Sequence, residues 1–157
     1  MNANGYKLGL MREAGLELRL LRRLPAQPEC GHVPVYRFAM FVPDHAHSVG
    51  LIEWRLGDQE SLQLYGGQVG YGVREEFRGR HLAARSLRLL MPLARQHDFE
   101  RIWITCKVDN LASRRSCEWA GAVLDEIVDL PPDHSLYLRG DRQMCRYRLE
   151  LGVESPL

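Results

Sequence analysis

The sequence predicts an α/β fold of the α+β kind: a mixed, mostly antiparallel central sheet with flanking helices, in one domain over residues 1–157. Three observations predict it. Runs before Arg74 alternate apolar and polar residues with the period of half-buried strands; between His81 and Gln96 the period lengthens to that of a helix; and strand character returns afterwards. The order strands, helix, strand, helix, strands implies one parallel crossover around the first helix. With 45% hydrophobic residues, the chain can bury a sizeable core.

Leu16-Glu17-Leu18-Arg19-Leu20 alternates as a strand, and Pro25 and Pro28 break the chain before Val35 to Val42 forms a second. Ser48 to Leu56 alternates again and closes a hairpin with it. Gly57-Asp58 signals a turn, and Ser61 to Val73 reads as a further strand region, bulged or bent at Gly66-Gly67. From His81 to Gln96, Leu82, Ala83, Ser86, Leu87, Leu90, Leu93 and Ala94 share one helical face, with Arg85, Arg88 and Arg95 away from it. Pro92 has no N–H for the carbonyl of Arg88, which predicts a kink or an early end. Arg101 to Cys106 is a short buried strand. Asp109 or Asn110 caps a second helix that Gly121 terminates. Ala122 to Leu130 and Gln143 to Leu151 are the last strands, parted by Pro131-Pro132.

A net charge of +1 argues against a general nucleic-acid binder. No apolar run reaches membrane-spanning length, and Met1 to Leu10 lacks the basic-then-apolar order of a signal peptide, so the expected setting is the cytoplasm, with no membrane partner. Cys30, Cys106, Cys117 and Cys145 are irregularly spaced without a C-x-x-C pair, which predicts reduced, separate thiols. Asp44-His45-Ala46-His47 carries metal-ligand residue types, but beside Pro43 and between two strands it reads as a polar turn; no metal is assigned.

The segment Gly70-Tyr71-Gly72-Val73-Arg74-Glu75-Glu76-Phe77-Arg78-Gly79-Arg80-His81-Leu82-Ala83 runs from a strand through a charged turn into the first turn of a helix. It reads as an anion cradle. Small residues let the backbone approach a ligand, the first helical N–H groups lack intrahelical partners, and Arg78 and Arg80 add positive charge.

Val69 to Ala122 resembles the GNAT superfamily of acyl-CoA-dependent N-acyltransferases on two linked motifs. One is the pyrophosphate loop R/Q-x-x-G-x-G/A after a valine-ended strand, matched by Val73 and by Arg78-Gly79-Arg80-His81-Leu82-Ala83. The other is an asparagine after the next strand with a glycine eleven residues on, matched by Asn110 and Gly121 behind Ile102-Trp103-Ile104-Thr105-Cys106. The resemblance implies a sheet of about six to seven strands with a V-shaped splay, and acetyl-CoA as cosubstrate. It places the pantetheine arm along Tyr71, Gly72 and Val73, the pyrophosphate on Gly79, Arg80, His81, Leu82, Ala83 and Ala84 beside Arg78, and Asn110 and Ser113 against the arm. It further implies N-acetyl transfer to a small-molecule or peptide amine by direct attack in a ternary complex, with a backbone N–H near Tyr71 stabilising the oxyanion.

The departures are specific. His81 replaces the motif's first glycine, so its Cβ narrows the cradle; its imidazole either bonds a phosphate or faces solvent. Thr105 stands where some members carry a glutamate base, and Cys117 where they carry a tyrosine acid. Threonine has no useful basicity at neutral pH. Cys117 is therefore the candidate acid or a packing residue, and Glu53 the candidate base or an arginine's structural partner. Tyr65, Tyr71 and Trp54 either shape an acceptor pocket or pack across strands. The proline-broken segment before Val35 leaves little to cover the acceptor, which implies an open site or one completed by a second copy in a homodimer. A CoA-binding module without turnover is the alternative to the enzyme. A dinucleotide-binding domain, drawn from Gly67, Gly70 and Gly72, is disfavoured because those glycines precede a charged turn instead of opening a helix.

Overall fold

The computed structural model describes residues 11–152. The reading of Met1 to Leu10 lies outside them. Strands β1 (Met11–Glu13), β2 (Leu16–Leu24), β3 (Val35–Phe41), β4 (Gly50–Arg55) and β5 (Val69–Val73) form one antiparallel meander in that spatial order. Helix α1 (Leu82–Gln96) leads to β6 (Arg101–Lys107), helix α2 (Leu111–Ala120) to β7 (Val123–Asp129), and the short α3 (Ser135–Leu138) to β8 (Gln143–Glu150). The last three strands make a second antiparallel sheet, ordered β6-β8-β7.

The expected crossover therefore joins two separate ladders. β5 and β6 meet only at their base, where the Gln68 N–H donates to the Trp103 carbonyl at 2.7 Å and the Trp103 N–H donates to Gln68 Oε1 at 2.8 Å. Beyond this bridge the strands part. Gln68 is buried, and its amide also donates to the Gly57 carbonyl at 2.6 Å, so both ends of the side-chain amide are bonded.

One continuous core spans both sheets. Leu87, Leu90 and Leu93 of α1 pack with Phe38, Ile52 and Trp54 of the large sheet and with Ile102, Ile104 and Tyr147 of the small one. Pro92 neither ends nor shortens α1, which runs on to Gln96. The proline sits on the exposed side, where water can serve the deprived carbonyl, while the apolar face stays packed.

The strand region expected from Ser61 is shorter. Leu62–Gly66 is a π-helical turn, closed by the Gly67 N–H on the Leu62 carbonyl at 2.7 Å, and the strand begins at Val69. Leu62 and Leu64 mimic strand alternation, but Gly67 adopts φ 73°, and a Cβ there would sit 3.0 Å from the Thr105 nitrogen. The turn also accepts the Thr105 hydroxyl on the Tyr65 carbonyl at 2.7 Å. Asp44 takes φ 67° in the β3–β4 turn, where His45 packs edge-on against Phe77 with centroids 4.6 Å apart.

All four cysteines are free thiols, but Cys106, Cys117 and Cys145 are not separate. Cys106 and Cys145 are register partners on β6 and β8, and Cys117 of α2 hydrogen-bonds Cys106 from above them. Strand pairing brings together what the sequence spaces apart. Among the described residues no helix is long and apolar enough to cross a membrane.

Candidate functional site

A cleft of about 820 Å³ opens where the two sheets part, between the end of β5, the start of α1 and one face of α2. That volume suits a cofactor-sized ligand. Tyr71, Gly72 and Val73 line one wall, Phe77, Arg78, Gly79, His81, Leu82 and Ala83 the floor, and Asn110, Ser113, Ser116 and Trp119 the other wall. β5 is an edge strand with β4 as its ladder partner, so every second backbone N–H and C=O along it points away from β4.

The floor is built by local chemistry. Glu75–Phe77 makes a 3-10 turn anchored by the buried Phe77 ring, and Gly79 at φ 84° and His81 at φ 57° then turn the chain into α1. Among the described residues no side chain caps that helix, which leaves its first N–H groups for a ligand. Arg78 lines the cleft with Nε held by the Val73 carbonyl at 3.1 Å. Arg80 instead lies over Phe77, its guanidinium 5.4 Å from the ring centroid, and Ala84 is buried in the core; neither side chain lines the cleft. Replacing Arg78 with Ala is expected to weaken acetyl-CoA binding about tenfold by titration calorimetry, one charged hydrogen bond's worth; unchanged binding would remove Arg78 from the cradle.

Asn110 caps α2 by accepting the Ser113 N–H on Oδ1 at 3.1 Å, and Gly121 ends it at φ 99°. Both helix-boundary expectations hold. Cys117, however, is fully buried and forms no part of the cleft wall. Hydrogen bonding to Cys106 and then burial push its thiol far above the ordinary range, while the same contact, with help from Ser113 and Arg114, draws Cys106 down. Between Cys117 and the cleft stands the Tyr71 hydroxyl, 2.8 Å from Ser113 Oγ and 3.5 Å from Cys117 Sγ. Burial, then the neighbouring Cys117, raise that phenol well above its usual range, so it stays protonated.

Glu53 lies outside the cleft. Arg37 Nε holds its carboxylate at 2.5 Å and Arg55 Nη2 approaches at 3.7 Å, an ion-paired arrangement on the large sheet. The structural alternative to a base thus describes its surroundings. The carboxylate that does line the cleft is Glu118, which accepts the Tyr147 hydroxyl at 3.1 Å. Neither that contact nor the reach of the Tyr71 phenol to α2 is visible in local sequence. Trp54 and Tyr36 pack together in the core, with centroids 6.0 Å apart, and Tyr65 stacks at a tilt on His134 at 5.4 Å.

The family model described as an acetyltransferase (GNAT) domain matches residues 11–123, which span the large sheet, the cradle and α2. The chain belongs to the GNAT acetyltransferase family. Similar solved structures agree in fold. An acetyltransferase from Salmonella typhimurium that modifies the N-terminal serine of ribosomal protein L7/L12 superposes with a TM-score of 0.64 at 20% identity, covering 90% of this chain and 98% of that one. The ribosomal-protein-S5-alanine acetyltransferase of Vibrio fischeri gives 0.67 at 12% identity, covering 94% and 99%. RimL, an L7/L12 α-N-protein acetyltransferase held in complex with coenzyme A through a cysteine disulfide, gives 0.64 at 20% identity over 90% of this chain and 97% of that one. No curated protein matches the sequence. This GNAT protein is an acetyl-CoA-dependent N-acetyltransferase, with acetyl-CoA as its cosubstrate.

Proposed function

We propose that this GNAT acetyltransferase acetylates the α-amine of a polypeptide N-terminus, by direct attack on the thioester within a ternary complex. One observation carries the choice of amine. The family's base position is Thr105, whose hydroxyl is spent on the Tyr65 carbonyl, and Glu53 is held between two arginines, so neither supplies a base at the cleft. Glu118, the carboxylate on the cleft wall, already accepts the Tyr147 hydroxyl, and an acceptor that arrives largely neutral needs no base. α-Amino groups titrate at about 7.7–8.0 and lysine side chains at about 10.4, so near pH 7.5 roughly a third of the former but only about a thousandth of the latter are neutral. The similar structures that modify the N-terminal serine of L7/L12 or are named α-N-protein acetyltransferases support the same acceptor class.

In this reading the pantetheine arm lies along the outer edge of β5, the cradle binds the pyrophosphate, and a β5 N–H near Tyr71 meets the oxyanion. The Tyr71 hydroxyl donates a hydrogen bond to the departing sulfur as charge builds on it; the attacking amine gives up its proton to water in the open cleft, and CoA leaves as the thiolate. Cys117 acts behind it as packing, taking no proton itself.

The test is a competition at pH 7.5 between peptides with a free N-terminus and peptides with a blocked N-terminus and one lysine. Free N-termini are expected to react at least tenfold faster, after the greater nucleophilicity of a neutral lysine offsets part of its scarcity, and their kcat/KM should level off near pH 8. Faster acetylation of lysine would overturn the assignment. Tight acetyl-CoA binding with no turnover on either peptide set would favour the non-catalytic CoA-binding module.

A further inference from the structure

His81 departs from the family's glycine, and its ring has a defined place. The imidazole lies face to face with the Trp119 indole, centroids 4.4 Å apart and planes inclined by 12°. Both residues line the cleft, His81 is exposed and Trp119 is 44% exposed, so the pair presents flat aromatic surface to it. Ala112, Ser116 and Trp119 recur at four and three residues and share the cleft-facing side of α2, with Arg115 beside them. The Arg88 guanidinium lies over the indole as well, 5.7 Å from its centroid.

We propose that the His81–Trp119 stack is the seat of the adenine ring of acetyl-CoA, the purine lying on the imidazole and the indole backing it. The proposal rests on the cosubstrate reading above. The cleft runs continuously from Tyr71 and Gly72, past the helix start at Gly79 to Leu82, to the exposed stack. Acetyl-CoA has the same order of parts: thioester, pantetheine, pyrophosphate, adenosine. Its purine is its one aromatic ring system, and a nucleobase gains most from stacking on an aromatic plane. The left-handed turn at His81, strained for any residue with a Cβ, places the ring on Trp119 directly beside the cradle, which glycine cannot do. The substitution thus exchanges room at the pyrophosphate for a hold on the base.

The experiment compares acetyl-CoA with S-acetyl-4′-phosphopantetheine, which lacks the 3′-phosphoadenosine 5′-phosphate part, by titration calorimetry, and reads the adenine itself by the NMR shifts of its protons. Wild type is expected to bind acetyl-CoA at least tenfold tighter and to move the adenine protons upfield through ring currents. His81→Asn, which tolerates a left-handed backbone without supplying a ring, should weaken acetyl-CoA about fivefold, abolish most of the upfield shift and leave the truncated ligand unchanged. Trp119→Leu should do the same from the other helix. Equal weakening of both ligands, or of neither, would overturn the proposal. So would equal affinity of wild type for the two ligands, while leaving the cosubstrate assignment intact; binding of neither ligand would overturn both.

Discussion

Tyr71→Phe is expected to lower kcat about fiftyfold while changing the KM for acetyl-CoA less than twofold. The ring stays, so the β5 wall keeps its shape; what is lost is the hydroxyl that lies 2.8 Å from Ser113 Oγ and 3.5 Å from Cys117 Sγ. A hydrogen bond to a charged acceptor is worth about 1.5–3 kcal/mol, and roughly 2.3 kcal/mol placed only in the transition state gives that factor in rate. Because burial holds the phenol above its ordinary range, the wild-type rate should show no alkaline limb from Tyr71 below about pH 10. Steady-state thiol release with a peptide acceptor measures both. If kcat were unchanged, the departing sulfur would be served by water and the phenol would be a strut between β5 and α2.

Gln68→Ala is expected to destabilise the fold by about 3 kcal/mol, lowering Tm by roughly 9 °C. Its side chain accepts the Trp103 N–H and donates to the Gly57 carbonyl at a site only 1% exposed, so truncation strands two backbone groups away from water. Chemical denaturation of wild type and variant gives the difference directly. Gln68→Glu, which buries a carboxylate against the Gly57 carbonyl, should cost at least as much at neutral pH and recover part of the loss as the carboxyl is protonated in acid. A loss under 1 kcal/mol would mean that the main-chain bond from Gln68 to Trp103 holds the sheets together unaided.

What was legible in the sequence was what local chemistry decides. Asn110 and Gly121 bound α2 because capping needs only a side-chain acceptor at one end and a left-handed residue at the other. α1 was legible because its leucines repeat at helical spacing, and that stripe outweighs Pro92. The π-helical turn at Leu62–Gly66 was not, since two leucines two positions apart look alike in a strand and in that turn. β1 is three residues long, too short for alternation to show. Of the site, the cradle and Asn110 could be read because they follow one another along the chain. The Tyr71 contact with Ser113 and Cys117, the stack of His81 on Trp119 and the meeting of Cys106 with Cys145 depend on register and packing between distant segments, which no local pattern encodes.

Among the described residues no strand pairs with the outer edge of β5, and under the proposed binding mode that edge would make the protein's thermal tolerance a function of its surroundings. In the proposed binding mode, an acetyl-CoA arm bonded along that edge would do the work of a missing strand, and only for the folded chain. By mass action, acetyl-CoA at a hundred times its Kd would add about 2.7 kcal/mol to the stability of the native state. The folded fraction, and with it resistance to heat and proteolysis, would then rise and fall with the supply of activated acetyl groups.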